Sequence, residues 1–190
     1  MIGGLVLAAG AGTRFGRRSK LLAQLDGRPL LEHAVSAACR VARLERVVVV
    51  LGAFADEVLA GVRFGRAEPV ICSSWAEGQA ASLRCGAEAL AGAERVIVAL
   101  GDEPSLTPAV IARFLNQPGG TRASYHGVPG HPVVLGPEQL RRLGELHGDN
   151  GARSLLGSGA MIECSDLASG RDVDTPDDLE AMRSEARAVL

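Results

Sequence analysis

Apolar runs alternate with amphipathic stretches along the whole chain. Residues 2–9 (IGGLVLAA) and 46–51 (RVVVVL) carry no polar face, the pattern of strands buried on both sides. A shorter strand is predicted at 69–72 and a fourth at 95–100 (RVIVAL). Helical periodicity occupies 29–41, with Pro29 in its first turn, then 55–59, 79–91 and 108–115. Four such alternations predict an α/β fold with a mainly parallel sheet and helices on both faces. The pattern changes at 122–135. Two short runs, 123–126 and 132–135, flank Gly127-Val128-Pro129-Gly130, which reads as a hairpin-like insertion rather than another strand–helix unit. Segments at 139–146 and 152–156, a strand at 161–164 and a helix from Pro176 complete the chain. With no internal repeat, linker or low-complexity tract, residues 1–190 are expected to form one domain.

Composition narrows the class. The 190 residues are 47% hydrophobic and 22% charged, enough apolar surface to offset chain entropy and exclude disorder. The longest apolar runs, 5–9 and 47–51, fall far short of the roughly 18 residues a membrane span needs. Met1 leads into the first strand with no basic region, so no signal peptide is expected. Cys39, Cys72, Cys85 and Cys164 are scattered, without a C-x-x-C pair or metal-ligand spacing. A reduced, cytoplasmic protein with no membrane partner is the expectation. A net charge of −2 argues against a nucleic-acid partner, and Trp75 and Tyr125 are too few aromatics for a base-stacking platform.

Strand 1 runs into Leu7-Ala8-Ala9-Gly10-Ala11-Gly12-Thr13-Arg14-Phe15-Gly16-Arg17-Arg18-Ser19-Lys20. Glycines there let backbone N–H groups approach a ligand closely, and such a loop at a strand's carboxyl end is a phosphate cradle. Two familiar versions fail. A P-loop needs Lys after its last glycine, where Arg17 stands. The dinucleotide fingerprint needs glycine at position 15, which is Phe15, and an acidic residue ending strand 2, where Gly52 and Ala53 follow Leu51. Four cations nevertheless crowd seven residues: Arg14, Arg17, Arg18 and Lys20. Arg17 and Arg18 read as a solvated basic turn; Arg14 and Lys20, flanking the glycines, are expected to contact a triphosphate. Lys20 is also the single lysine beside 19 arginines, a point charge on a flexible stem where the chain otherwise uses planar forks.

Carboxylates supply the counterpart. Asp102 follows strand 4 in Gly101-Asp102-Glu103-Pro104, at the rim where α/β folds bind ligands. In Asp172-Val173-Asp174-Thr175-Pro176-Asp177-Asp178, Thr175 can cap a helix, Pro176 suits its first position, and the last two aspartates favour its dipole. Asp172 and Asp174 remain, alternating about Val173 as on a short strand, so that one could face Asp102. Two carboxylates above a triphosphate cradle make a Mg²⁺ site.

The stretch LAAGAGTRFGRRSKLLAQLDGRPLLEHAV resembles the opening of the MobA-like nucleotidyltransferases, and particularly their molybdenum cofactor cytidylyltransferase branch. Phe15 replaces the usual Met and Gly12 the usual Ser. The likeness continues through EGQAASLRCG, ALGDEPSLTP, GHPVVL, HGDNGARSLL and DVDTPDDL, in family order. It implies a Rossmann-like three-layer α/β/α nucleotidyltransferase fold with an antiparallel insertion. It further implies that Asp102 and Asp174 hold Mg²⁺, with Asp102, Arg14 and Lys20 in the catalytic machinery. Leu7, Ala8, Ala9, Gly10, Gly12 and Thr13 would contact the nucleotide from one side, and Gly78, Gln79 and Ser82 would read its base from the other. His131 and Arg153 would face the acceptor, a pterin carrying a terminal phosphate. Glu103 stands where the branch commonly has Gln; it adds a charge that would alter the electrostatics near the metal unless its side chain simply faces solvent.

The resemblance thus implies transfer of CMP from CTP to molybdenum cofactor with release of pyrophosphate, the product passing to a molybdoenzyme or its chaperone. Rivals within the chemistry are a guanylyltransferase of the same pathway and a cytidylyltransferase of an isoprenoid-precursor or sugar phosphate. The order GHPVVL then HGDNGAR favours the first reading. A non-catalytic nucleotide-binding or cofactor-chaperone module is the rival of another class, disfavoured by the two-carboxylate pair. A dinucleotide-dependent oxidoreductase fails at positions 15 and 52.

Overall fold

The computed structural model describes residues 1–16 and 19–188; the expected basic turn at Arg17 and Arg18 lies outside the described residues. In chain order the strands are β1 (Ile2–Ala8), β2 (Gln24–Leu25), β3 (Arg28–Pro29), β4 (Arg46–Leu51), β5 (Glu68–Ile71), β6 (Arg95–Leu100), β7 (Arg122–Tyr125), β8 (Val128–Leu135) and β9 (Met161–Glu163). The helices are α1 (Leu30–Cys39), α2 (Ala55–Gly61), α3 (Gln79–Ala89), α4 (Pro108–Phe114), α5 (Pro137–Arg141) and α6 (Pro176–Ala188).

Seven strands form one sheet in the order β5-β4-β1-β6-β8-β7-β9. β1 lies between β4 and β6, parallel to both, and β5 extends the parallel half. β8 runs antiparallel to β6 and β7, while β9 returns parallel to β7. The sheet is mostly parallel with an antiparallel insertion, but the expected loop at 127–130 is shorter: the chain turns at His126 and Gly127, both at positive φ, and 128–130 already pair with β7.

Strand residues of alternating parity serve two cores. Val6, Ala8, Val47, Val49, Ile97 and Val134 point to the face covered by α1, α2 and α4. Leu5, Leu7, Val48, Val50, Val96 and Leu135 point to the face covered by α3 and α5. Val47 to Val50 are all fully buried, each contributing about 1.5–3 kcal/mol, which is why strands of this sheet need no polar face. A third, smaller cluster of Leu25, Leu30, Val173 and Leu179 joins α6 to the start of α1. No helix among the described residues is long and apolar enough to cross a membrane, and the four cysteines are free.

Local departures from the sequence reading have local causes. The first helix starts at Leu30, because Pro29 closes the β2–β3 hairpin with ψ 141°. That hairpin turns on Asp26 and Gly27, at φ 49° and 74°, an Asp-Gly signal left unread in the pattern. The segment over 139–146 is instead α5 followed by a 3₁₀ turn, Leu143–Glu145. The Asp172-Val173-Asp174 segment is not a strand: it is held by one bridge, Val173 N–H donating to the Asp102 carbonyl at 2.9 Å.

Candidate active site

β1, β4 and β6 all end on one edge, and their carboxyl ends carry the glycine loop, Gly52 and Asp102. Two backbone bonds fix this rim: Ala53 N–H donates to Ala9 O at 3.0 Å and Gly101 N–H to Leu7 O at 2.9 Å. Beyond it the loop makes one 3₁₀ turn, Thr13–Phe15, and returns in a second, Lys20–Leu22. The Lys20 stem runs beside Gly12, where an added Cβ would meet Lys20 Cγ at 3.3 Å.

Lys20 ends among carboxylates. Its Nζ donates to Asp102 Oδ2 at 2.6 Å and to Asp174 Oδ1 at 2.8 Å. Arg14 Nη2 donates to the other oxygen of Asp174 at 2.7 Å. The Lys20 side chain is 11% exposed and that of Arg14 72%, so one cation is enclosed and the other reaches into solvent. Burial opposes the ammonium charge, but the two carboxylates outweigh it and raise the Lys20 pKa.

Asp174 owes its place to its neighbours. Val173 is fully buried in the third cluster, and its bridge to Asp102 O brings the two acidic segments together. Behind it Asp178 Oδ2 accepts from Asp174 N–H (3.1 Å), Thr175 N–H (2.7 Å) and Thr175 Oγ1 (2.7 Å), while Thr175 Oγ1 accepts from Asp178 N–H at 3.2 Å. This reciprocal cap starts α6 and holds the backbone on which Asp174 stands.

Three adjoining clefts follow the rim. The first, about 250 Å³, is lined by Leu7, Ala8, Gly10, Gly12, Thr13, Arg14, Lys20, Asp102 and Asp174. The second, about 320 Å³, shares Leu7, Gly10 and Asp102 with it and adds Ala9, Gly78, Gln79 and Ser82. Its further walls are Trp75 and Asp149, which sequence reasoning did not assign. The third, about 290 Å³, meets the second at Leu100 and contains both His131 and Arg153, with Arg122, Glu103 and Asp172. Every nominated side chain thus lies on this one edge. Asp172 and Asp174 do not share a cleft, because Val173 plugs the core between them.

Two glycines make the second cleft possible. Gly52 lies so close to Trp75 Cβ and Ala9 O, 2.5 and 2.6 Å from any added Cβ, that a side chain there would displace the indole. Gly78, at φ 107°, is packed against the Gly148 backbone, whose carbonyl accepts from Ala80 N–H at 3.0 Å. The HGDNG block therefore closes one wall of the cleft that opens at α3. The single tryptophan was a signal for this wall, but only the fold brings Gly52 beneath it.

Glu103 does not face solvent. It is 4% exposed, with Oε1 3.5 Å from His131 Nδ1. Desolvation pushes its carboxyl pKa up, the His131 contact opposes this, and Asp102 and Asp172 add to it. Desolvation, with Asp174 and Asp102, likewise raises Asp172. Tyr125 Oη donates to the His131 carbonyl at 2.7 Å, so the GHP segment of β8 is anchored from β7. The third cleft holds two guanidinium groups beside two carboxyls that resist ionising.

A glycine-rich loop faces a pair of carboxylates on the carboxyl edge of the parallel strands. The chain belongs to the MobA-like NTP transferase domain family, which matches residues 4–163. It is 34% identical over 187 residues to a nicotine blue oxidoreductase of Paenarthrobacter nicotinovorans, covering 90% of this chain and 91% of that one. It is also 39% identical over 120 residues to a 2-C-methyl-D-erythritol 4-phosphate cytidylyltransferase of Cereibacter sphaeroides, covering 58% and 51%. Among solved structures, a Mycobacterium sp. strain JC1 homologue of Mycobacterium tuberculosis Rv0371c superposes with TM-score 0.83 at 30% identity, covering 100% and 98%. A manganese complex of the M. tuberculosis protein itself gives TM-score 0.76 at 26% identity, covering 96% and 98%.

The donor set fits a divalent cation of the Mg²⁺ or Mn²⁺ kind. Asp102 and Asp174 present hard oxygens within 2.8 Å of one nitrogen, so a single small cation can reach both. Among the described residues no third His, Cys, Asp or Glu completes a cage, leaving positions for phosphate oxygens and water.

Proposed function

We propose that this protein is a Mg²⁺-dependent cytidylyltransferase that moves CMP from CTP to the terminal phosphate of a pterin, the molybdenum cofactor, releasing pyrophosphate. The observation that carries the reading is the convergence of Lys20, Arg14, Asp102 and Asp174 in a cleft that opens into the one lined by Gly78, Gln79 and Ser82. The acceptor phosphate oxygen attacks the α-phosphorus in line, and the bond to the pyrophosphate oxygen breaks. Glycine-loop amides and Lys20 hold the triphosphate, with Arg14 at the solvent mouth. Both cations offset charge on the departing pyrophosphate, so catalysis is positioning and charge neutralisation with no protein nucleophile. Asp102 and Asp174 would hold Mg²⁺, which would supply further charge neutralisation at the phosphate oxygens. Gly78, Gln79 and Ser82 line the base beside Trp75. Arg153 and Arg122 meet the acceptor's phosphate, with His131 beside them. A molybdoenzyme or its chaperone would take the product.

The likeness to an oxidoreductase supports a second reading, electron transfer to a bound acceptor. Against it stand Phe15 in place of the third fingerprint glycine, and Gly52, which makes room for Trp75 where a ribose-binding acid would be needed. One assay separates them. Pyrophosphate release is measured with CTP, GTP, ATP and UTP, Mg²⁺ and phosphorylated pterin, beside oxidation of reduced nicotinamide nucleotide with nicotine blue. CTP-dependent pyrophosphate release is expected. A GTP preference moves the protein to guanylyl transfer, and nicotinamide oxidation without pyrophosphate overturns the transferase reading.

A further inference from the structure

We propose that Lys20 and the divalent cation compete for the same two carboxylates, so that the cation is admitted together with the triphosphate and poorly without it. The inference rests on the reading of Asp102 and Asp174 as the metal's ligands. It follows from where the ammonium lies. Lys20 Nζ is 2.6 Å from one carboxylate and 2.8 Å from the other, between the two groups that would hold the cation. Mg²⁺ takes oxygen ligands at about 2.0–2.1 Å, so a cation bound to those two oxygens would stand within a few ångströms of the ammonium and be repelled by it. Arg14 holds the remaining Asp174 oxygen at 2.7 Å, and two cations thereby balance two carboxylates. Placing a further divalent charge in that cluster is opposed by both resident cations unless one of them moves.

Since it bonds Asp102 and Asp174, whereas Arg14 bonds Asp174 alone, Lys20 is the one whose departure frees both carboxylates. Its stem lies along Gly12 and its head lines the cleft formed by the glycine loop, so a triphosphate seated there offers new partners without a change of wall. A flexible stem with a compact head can pass from carboxylates to phosphates, whereas a planar guanidinium paired to carboxylate oxygens would resist release. This accounts for the single lysine at this position in a chain whose other cations are arginine. Triphosphate draws Lys20 away and opens the carboxylates to the cation; by linkage, the cation favours triphosphate by the same factor. Without triphosphate, Lys20 keeps the two carboxylates gathered.

The test uses Mn²⁺ alone, with no phosphate present, titrated into the full chain and followed by the electron paramagnetic resonance of free Mn²⁺. Wild type, Lys20→Met and Lys20→Gln are compared, each with and without Asp174→Asn. Inorganic tripolyphosphate binding without metal is followed separately by Trp75 fluorescence. Lys20→Met is expected to bind Mn²⁺ about ten-fold more tightly than wild type and tripolyphosphate more weakly. Asp174→Asn should remove the gained Mn²⁺ affinity. A cooperative melt identifies folded variants, and Lys20→Gln serves where Lys20→Met does not fold. Mn²⁺ affinity unchanged or weakened in the folded Lys20 variants overturns the competition. So does a gain that survives Asp174→Asn. Because the readout needs neither nucleotide nor acceptor, competition can stand while CTP-dependent pyrophosphate release fails, or the reverse.

Discussion

At Lys20 one ammonium sits between two carboxylates, while one residue beyond Asp102 a third carboxyl, Glu103, is buried against an imidazole. The first position bears on turnover and the second on how stability varies with pH. Lys20→Ala should lower kcat for pyrophosphate release by more than about ten-fold, roughly 1.4 kcal/mol of transition-state stabilisation. Turnover at the wild-type rate would remove Lys20 from the machinery. Glu103 has a pKa raised above its ordinary 4.5. Its contribution to stability is therefore complete below that ordinary value and is lost as pH rises through the folded-state value. Glu103→Gln removes this loss. Urea midpoints measured from pH 4.5 to pH 8 should fall more steeply in wild type than in Glu103→Gln; parallel profiles would contradict the burial argument. The residue type at 103 was plain from the sequence, but its burial was not, since a polar letter beside a strand end carries no record of the side that the β7–β8 hairpin covers.

Among the elements, α6 matters less for its own packing than for what its first turn holds. Thr175 and Asp178 bond reciprocally, and Asp178 also accepts the Asp174 amide. Thr175→Ala should cost about 1 kcal/mol in chemical denaturation, in the range of a lost N-cap. Because the same cap sets the Asp174 backbone, pyrophosphate release should slow as well. Stability lost with full turnover retained would show that Asp174 is positioned by Val173 alone. The cap was readable as Asp-Thr-Pro-Asp-Asp, because capping is chemistry between near neighbours. The short strand expected over 172–174 was not correct, because a strand needs a partner of matching length and Asp102 offers only one carbonyl.

On the scale of the molecule, the parallel half of the sheet supplies a rigid rim and the antiparallel half turns the third cleft toward it. Nucleotide bound at 100 times its Kd should add about 2.7 kcal/mol of stability. For a domain of this size each kcal/mol raises Tm by roughly 2–4 °C. A Mg²⁺-dependent rise of roughly 5–10 °C with CTP, larger than with GTP, ATP or UTP, is therefore expected by differential scanning fluorimetry. No rise with any nucleotide would count against the glycine loop as a phosphate cradle.

What could be read from the letters alone was whatever depends on neighbours along the chain. Strand and helix alternation, the glycine loop at the end of β1, the cap of α6 and the order of the motif blocks all belong there. Hydrophobic period and backbone permissiveness act over a few residues, so they leave a local record. The arrangement of the rim arose differently. Lys20 meets Asp102 and Asp174 across 82 and 154 residues, Gly78 packs on Gly148, and Asp172 and Asp174 part into separate clefts. Those contacts depend on strand order and on which face each loop covers, and burial of Val173 between two aspartates settles them. Charge pairing and desolvation are properties of what surrounds a side chain in space, and folding alone assembles those surroundings.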